Sequence, residues 1–456
     1  MASISNTRVV RAQFVAQGEK FTAAHVKTET VQINTQLNDG EVLIRNLYLG
    51  LDPYTRYLFQ NQGSASADLE ATVTGLGVGE VVESKASAFP VKSIVLGFGI
   101  GWEQYTRMSN PRTLWVIPDP HNPKVPLVEY LGALGANGIT AYAAVEALVK
   151  FKKDQVVYIS SAAGPVGGFL SILAQRQGAF VIGSTGSDDK VEYLLKDLGL
   201  NAAINYKTKD LRSELDAVAP KGIDIYFDLV GGETFDIALE KLKPNGQVVA
   251  IGNISTYGAK TPYVTKNLNL IITKALTING FTLFQYLHKF PHFWKEYAPL
   301  IANGEIKSQK QTVIKGLENI PQTFADYLDG KYNGKIIVEV ANLYQMGTVH
   351  SLAQPSIIPD DYNPKIPLAE YSDNLGTNGF IAYAAVETLI RFKKDQVGYT
   401  SSSAGPIVEF LSIPAKHQGV FNDIYFDLVS DEVFDIVFEK LKRAALDINL
   451  KDTLSD

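Results

Sequence analysis

Three small residues, Ala162, Gly164 and Gly167, follow the apolar, β-branched run Val156-Val157-Tyr158-Ile159 and precede an apolar-periodic segment, Phe169 to Gln177. That order reads as strand, tight turn and helix. Residues of this size at this spacing suit a dinucleotide pyrophosphate. Ala162 lets the turn close, Gly164 lets the backbone approach a phosphate, and Gly167 lets helix and strand pack closely. Pro165 gives up an N–H that would have no intrahelical partner. The phosphates would sit at the positive end of the helix. An ordinary strand-helix turn uses the same glycines, so the surroundings have to decide.

The next strand, Phe180 to Ser184, ends in Gly183-Ser184-Thr185-Gly186 without an acid. An NAD enzyme places Asp or Glu there for the ribose 2′-OH. Lys190 follows instead, and an acid at the strand end would repel a 2′-phosphate, so its absence favours NADP(H). Ser187 to Lys190 also reads as a helix N-cap and first turn, with Ser187 capping and Lys190 left free. Asp228, shortly before Gly231-Gly232, suits either an acid/base role or a turn. The chain has no cysteine, which excludes disulfides and thiolate-bound metals. The six histidines (25, 121, 288, 292, 350 and 417) are scattered, and Pro291 separates His288 from His292. No metal site is expected.

The elements that must hold these residues are legible in outline. From Arg8 to Glu83 the pattern is short strands and turns. Glycine punctuates Gly75 to Val82 and Val95 to Trp102, as in a curled, barrel-like sheet. From Leu127 the texture changes: Leu131 to Val149 has helical periodicity. Strands near 180, 203, 223 and 247 then alternate with helices Asp188–Leu198, Leu211–Val218 and Phe235–Leu242, which means a parallel, doubly wound sheet. Helices Phe290–Asn303 and Ile320–Leu328 and a closing strand, Gly334–Val340, follow.

The 456 residues suffice for two or three domains. The net charge of −6 leaves no basic surplus for nucleic acid or an acidic membrane surface. Met1 to Gln17 has no signal-peptide core and no apolar run reaches spanning length, so a cytoplasmic protein is expected.

Beyond residue 343 the chain repeats itself. Pro359 to Leu368 repeats Pro118 to Leu127, and Phe392 to Val397 repeats Phe151 to Val156, at an offset of 241. Asp423 to Val429 repeats Asp224 to Val230 at an offset of 199, so the copy has lost 42 residues (241 − 199). In it Val408 replaces Gly167, and Pro414 falls inside the helix that should follow. This is a degenerate partial duplication of residues 109–243.

Ordered motifs run through residues 8–340: Asp52-Pro53-Tyr54-x-Arg56, Gly101-Trp102 with Tyr105, Ala162-Ala163-Gly164-x-Val166-Gly167, Gly186 to Val191, Asn205-Tyr206-Lys207, Tyr226 to Gly232, Gly252-x-Ile254-Ser255-x-Tyr257 and Gly280-Phe281. With them the chain resembles the medium-chain dehydrogenase/reductase superfamily, and within it the zinc-independent alkenal double-bond reductases. The resemblance implies an α/β protein in two parts: a GroES-like β-barrel catalytic domain from residues 1–126 and 300–342, and a Rossmann domain over 127–299, with 343–456 as the degenerate repeat. It implies NADP(H), held by Ala162, Gly164, Val166, Gly167, Asn253, Ser255, Tyr257, Phe281 and Leu283, with Lys190 and Tyr206 on the 2′-phosphate. The family's last cofactor contact is an Asn two residues before the Gly-Lys of the closing strand. Here Tyr332 stands there and Asn333 is one residue late. The implied reaction is hydride transfer to the β-carbon of an enal or enone. Tyr257 would be the enolate stabiliser or proton donor, and Tyr54 a wall of the substrate pocket. The partner is then a small molecule, with no nucleic acid and no membrane, and the family's usual state allows a homodimer. A quinone reductase and a non-catalytic NADPH-binding protein are the alternatives.

Overall fold

A computed structural model describes residues 3–60, 68–261 and 263–341. The expected partial repeat, 343–456, lies outside the described residues.

The strands of the first hundred residues form where apolar side chains alternate or run together. β1 (Ser3–Arg11) pairs antiparallel with β2 (Val26–Asn34), which alternates between partly covered and exposed positions along its length. A second sheet is built from β3 (Val42–Leu51), β4 (Thr74–Ser84), β5 (Ile94–Gly101), β6 (Tyr105–Met108) and β7 (Leu114–Val116). β3, β4 and β5 are buried along most of their length, as strands covered on both faces are. Register shifts within the β3–β4 and β4–β5 pairs mark bends.

The chain then turns to alternating elements. α1 (Ala136–Leu148) is followed by β8 (Val156–Ile159), α2 (Pro165–Arg176), β9 (Phe180–Thr185) and α3 (Asp188–Glu192). β10 (Ala202–Asn205), α4 (Leu211–Val218), β11 (Ile223–Asp228), α5 (Gly232–Lys241) and β12 (Leu242–Ala250) come next, then α6 (Asn269–Thr273) and β13 (Thr277–Gly280). The six strands pair in parallel in the order β10-β9-β8-β11-β12-β13. This is the doubly wound order whose switch point, between β8 and β11, is where ligands bind beyond the strand C-termini.

After α7 (Phe290–Ala302) the chain returns to the first portion. β14 (Gln311–Lys315), α8 (Ile320–Leu328) and β15 (Lys335–Glu339) follow, and β15 pairs antiparallel with β3. The helix read as Asp188 to Leu198 divides. α3 ends at Glu192 and a π-helical turn, Tyr193–Asp197, continues it.

Candidate functional site

The turn after β8 is held by backbone hydrogen bonds. Gly164 N donates to Ser161 O at 2.9 Å, and Ala162 N reaches across to Ser184 O on β9 at 3.0 Å. The strained position is Ser161, with φ +51°, a left-handed conformation that a non-glycine residue takes only where its surroundings impose it. Gly164 is the N-cap of α2 and Pro165 its first residue. A Cβ on Gly167 would lie 2.6 Å from Ser161 O and 2.8 Å from the Cα of Ala162, so helix and strand meet at a separation only glycine allows. The methyl of Ala162 has its own counterpart, since a Cβ on Gly183 of β9 would come within 2.7 Å of it. Val166 is the second residue of α2 and only partly covered.

Tyr206 and Lys207 come together over Gly186, beyond the C-termini of β9 and β10, with Lys190 close enough to feel the Lys207 charge. An ideal Cβ on Gly186 would lie 3.2 Å from both Tyr206 Oη and Lys207 Cε. Burial lowers the pKa of Lys190; Asp189 opposes that shift and the Lys207 charge adds to it. Two ammonium groups that repel each other beside a phenol form a place for a multiply charged anion. Lys207 joins a pair that the resemblance had limited to Lys190 and Tyr206. Ser187 occupies the N-cap of α3 but makes no side-chain capping bond. Lys190 Nζ donates to Gly330 O at 3.0 Å, which brings the turn before β15 to this cluster. In that turn Asn333 Oδ1 is buried without a hydrogen-bond partner, an acceptor left for a ligand donor despite its one-residue displacement.

At the switch point Asp228 forms a turn. Its Oδ1 accepts from Tyr226 Oη at 2.6 Å, Val230 N at 3.0 Å and Gly231 N at 2.8 Å. Burial raises its pKa and these bonds oppose the rise. Ile251 N and Gly252 N donate to Asp228 O, and Ser255 N to Val230 O. These bonds fasten the loop after β12 to the loop after β11. Asn253 and Ser255 are exposed there, with Ser255 Oγ donating to Asn253 Oδ1 at 3.3 Å. Phe281 stacks on Tyr286 at 5.0 Å. Its N–H is already given to Ala250 O, so the amide of Phe281 is not a free donor for a cofactor. Leu283 opens the 3₁₀ turn that follows.

The fastened loop carries Tyr257 at the end of a 3₁₀ turn, Ile254–Thr256. The Tyr257 ring packs edge-on against Tyr57 of the 3₁₀ helix Pro53–Phe59, with centroids 4.7 Å apart at 69°. A Cβ on the neighbouring Gly258 would lie 3.2 Å from Arg56 Nη2, which itself donates to Glu19 O. The Asp-Pro-Tyr-x-Arg helix of the barrel-like portion and the Tyr257 loop of the parallel-sheet portion are thus in contact. Burial, reinforced by the Tyr57 phenol, raises the pKa of Tyr257 well above the tyrosine range. At neutral pH it is a hydrogen-bond donor. Tyr54, on the same 3₁₀ helix, keeps 38% of its area open, yet desolvation and the nearby Asp52 raise its pKa as well. Part of the Tyr54 ring therefore reaches the surface while its hydroxyl is desolvated.

That helix is anchored from below. Lys335 Nζ donates to Asp52 Oδ1 and, at 3.2 Å, to Leu51 O, with the lysine side chain fully buried. Desolvation lowers the pKa of Lys335, and Asp52 pulls it back up. No role had been read for Tyr57 or Lys335 in the sequence. In the sequence Tyr57 is only a tyrosine three residues after Tyr54, and Lys335 a lysine opening the apolar run Ile336-Ile337-Val338. Among the described residues no group of three His, Asp or Glu side chains gathers as a metal-ligand set.

A family model described as zinc-binding dehydrogenase matches residues 165–303, and one described as the N-terminal domain of oxidoreductase matches residues 16–117. The zinc of the first description has no cysteine here to hold it. The chain is 34% identical over 342 residues to the NADP(+)-dependent 2-alkenal reductase of Nicotiana tabacum, covering 74% of this chain and 98% of that one. It is 35% identical over 321 residues to prostaglandin reductase 1 of Bos taurus, covering 70% and 94%. The solved structure of CurA from Vibrio vulnificus in complex with NADPH matches with a TM-score of 0.66 at 28% identity, over 74% of this chain and 99% of that one. The chain belongs to the medium-chain dehydrogenase/reductase superfamily and, within it, to the zinc-independent, NADP-dependent alkenal reductases.

Proposed function

We propose that this protein uses NADPH to reduce the carbon–carbon double bond of α,β-unsaturated aldehydes or ketones. The observation that carries the reading is the position of Tyr257: a protonated phenol on a loop fastened to the switch point, packed against Tyr57 of the 3₁₀ helix that follows Asp52. The tobacco relative, named as a 2-alkenal reductase, supports the substrate class.

NADP(H) is the cofactor, and the residues present fit it. The Ser161–Gly167 turn and the N-terminus of α2 would take the pyrophosphate, and Lys190, Lys207 and Tyr206 the 2′-phosphate. Asn333 Oδ1, an orphaned acceptor, would take one of the cofactor's donors. When bound, NADPH supplies the hydride that reduces the β-carbon.

The chain's task is to stabilise the negative charge that reaches the carbonyl oxygen. Tyr257 Oη donates a hydrogen bond there, in a partly desolvated site where such a bond is stronger than in water. A phenol with so high a pKa is a poor acid, so Tyr257 keeps its proton and the α-carbon is protonated from water. Asp228 is committed to its turn and takes no part in proton transfer.

The test is NADPH oxidation with trans-2-hexenal and, separately, with a benzoquinone. Hexanal as product supports the reading. Turnover of the quinone alone replaces it with quinone reduction, and absence of both turnovers rejects it.

A further inference from the structure

We propose that Tyr57 is the specificity-determining residue of this site: with Tyr54 and Tyr257 it forms an aromatic cleft that favours enones carrying an aryl group on the β-carbon. The proposal rests on the enone-reductase reading given above.

A 3₁₀ helix has three residues per turn, so side chains at i and i+3 stand one above the other. Exposure in Pro53–Phe59 follows that period. Tyr54 and Tyr57 are 38% and 48% exposed, while Thr55, Arg56 and Phe59 are buried. The two partly exposed tyrosine rings therefore share one face of the helix. That face is rigid, because three contacts hold the side beneath it. Asp52, at the N-cap position, is paired with buried Lys335. Arg56 reaches Glu19 O, and Phe59 packs edge-on against Phe21 at 4.9 Å.

Tyr57 does more than line the barrel side. Its ring meets Tyr257, the residue assigned to the substrate oxygen, at 4.7 Å and 69°. The edge-to-face contact fixes both rings. A substrate whose oxygen bonds Tyr257 Oη then extends past Tyr57 and Tyr54. An alkyl substituent gains there only the area it buries. A conjugated ring also gains the geometry-dependent attraction between aromatic groups, which amounts to about a threefold to tenfold preference.

Two methyl ketones that differ only at the β-carbon provide the test: 4-phenyl-3-buten-2-one and 3-nonen-2-one. The quantity read is the ratio of their kcat/KM values, aryl over alkyl, in the full chain and its variants. Tyr57→Phe, which keeps the ring, should hold the ratio within about twofold. Tyr57→Leu should lower it roughly threefold to tenfold, mainly through a higher KM for the aryl ketone. Tyr57→Met, flexible and without a π-face, should do the same and serves if the leucine variant does not fold. A ratio unchanged in both non-aromatic variants overturns the proposal and leaves the enone reading intact. A wild-type protein that reduces neither ketone nor a simple enal overturns both.

Discussion

Lys335 Nζ lies 2.5 Å from Asp52 Oδ1 with both side chains withdrawn from water, and the two residues are 283 apart in sequence. The pair ties the start of β15 to the residue at the N-cap position of the Tyr54–Tyr57 helix. Removing one partner of such a pair strands a buried charge, at a cost of about 3–5 kcal/mol. Lys335→Met should therefore lower the melting temperature by roughly five degrees and reduce kcat with it. A thermal melt checks this. A shift of only a degree or two would mean that water reaches the pair.

Lys190→Ala should raise the KM for NADPH roughly tenfold to a hundredfold, the worth of a charge-assisted hydrogen bond, and leave that for NADH nearly unchanged. Lys207→Ala should act in the same direction. Equal effects on both cofactors would place the two lysines away from the phosphate.

The same lysine sets a pH dependence. Burial depresses the pKa of Lys190 below its ordinary 10.5, so the ammonium is lost sooner than usual as pH rises. The charged form binds the phosphate, so NADPH affinity should be full at neutral pH and fall through the depressed pKa. Phosphate binding should draw the pKa back up, with proton uptake near that pH. Titration calorimetry in two buffers of different ionisation heat checks this. NADPH affinity flat through pH 10 would contradict it.

Gly167→Val should abolish measurable NADPH binding, because its Cβ would press on backbone atoms of Ser161 and Ala162 that have no room to move. A fluorescence titration showing near-normal affinity would mean that the turn adapts.

A chain ending at Leu343 should keep kcat/KM within about threefold, a change of roughly 0.6 kcal/mol. All three sheets are assembled from described residues, and 342 aligned residues span 98% of the tobacco reductase. An insoluble or inactive truncation would make 344–456 an integral part of the fold.

What the sequence revealed and what it hid divide along physical lines. The Ala162–Gly167 turn was legible because its chemistry is local: strand, small residues and helix are consecutive. The helices Leu211–Val218 and Ile320–Leu328 were legible from periodicity to the residue. The Asp52–Lys335 pair was not, because only the return of β15 to β3 brings its members together. Tyr57 was hidden for another reason. One tyrosine among 22 carries no signal until a three-residue period puts it beside Tyr54 and the fold sets it against Tyr257. The engagement of the Phe281 amide was not legible either, because it depends on β13 lying parallel beside β12.

Transfer of deuterium from the nicotinamide C4 of labelled NADPH to trans-2-hexenal tests the central claim most directly. The account predicts hexanal carrying one deuterium at C3, the former β-carbon, with the α-hydrogen derived from water. It also predicts a loss of about a hundredfold in kcat for Tyr257→Phe. Deuterium at C1 of 2-hexenol would instead mean carbonyl reduction, and would contradict both the reaction and the role assigned to Tyr257.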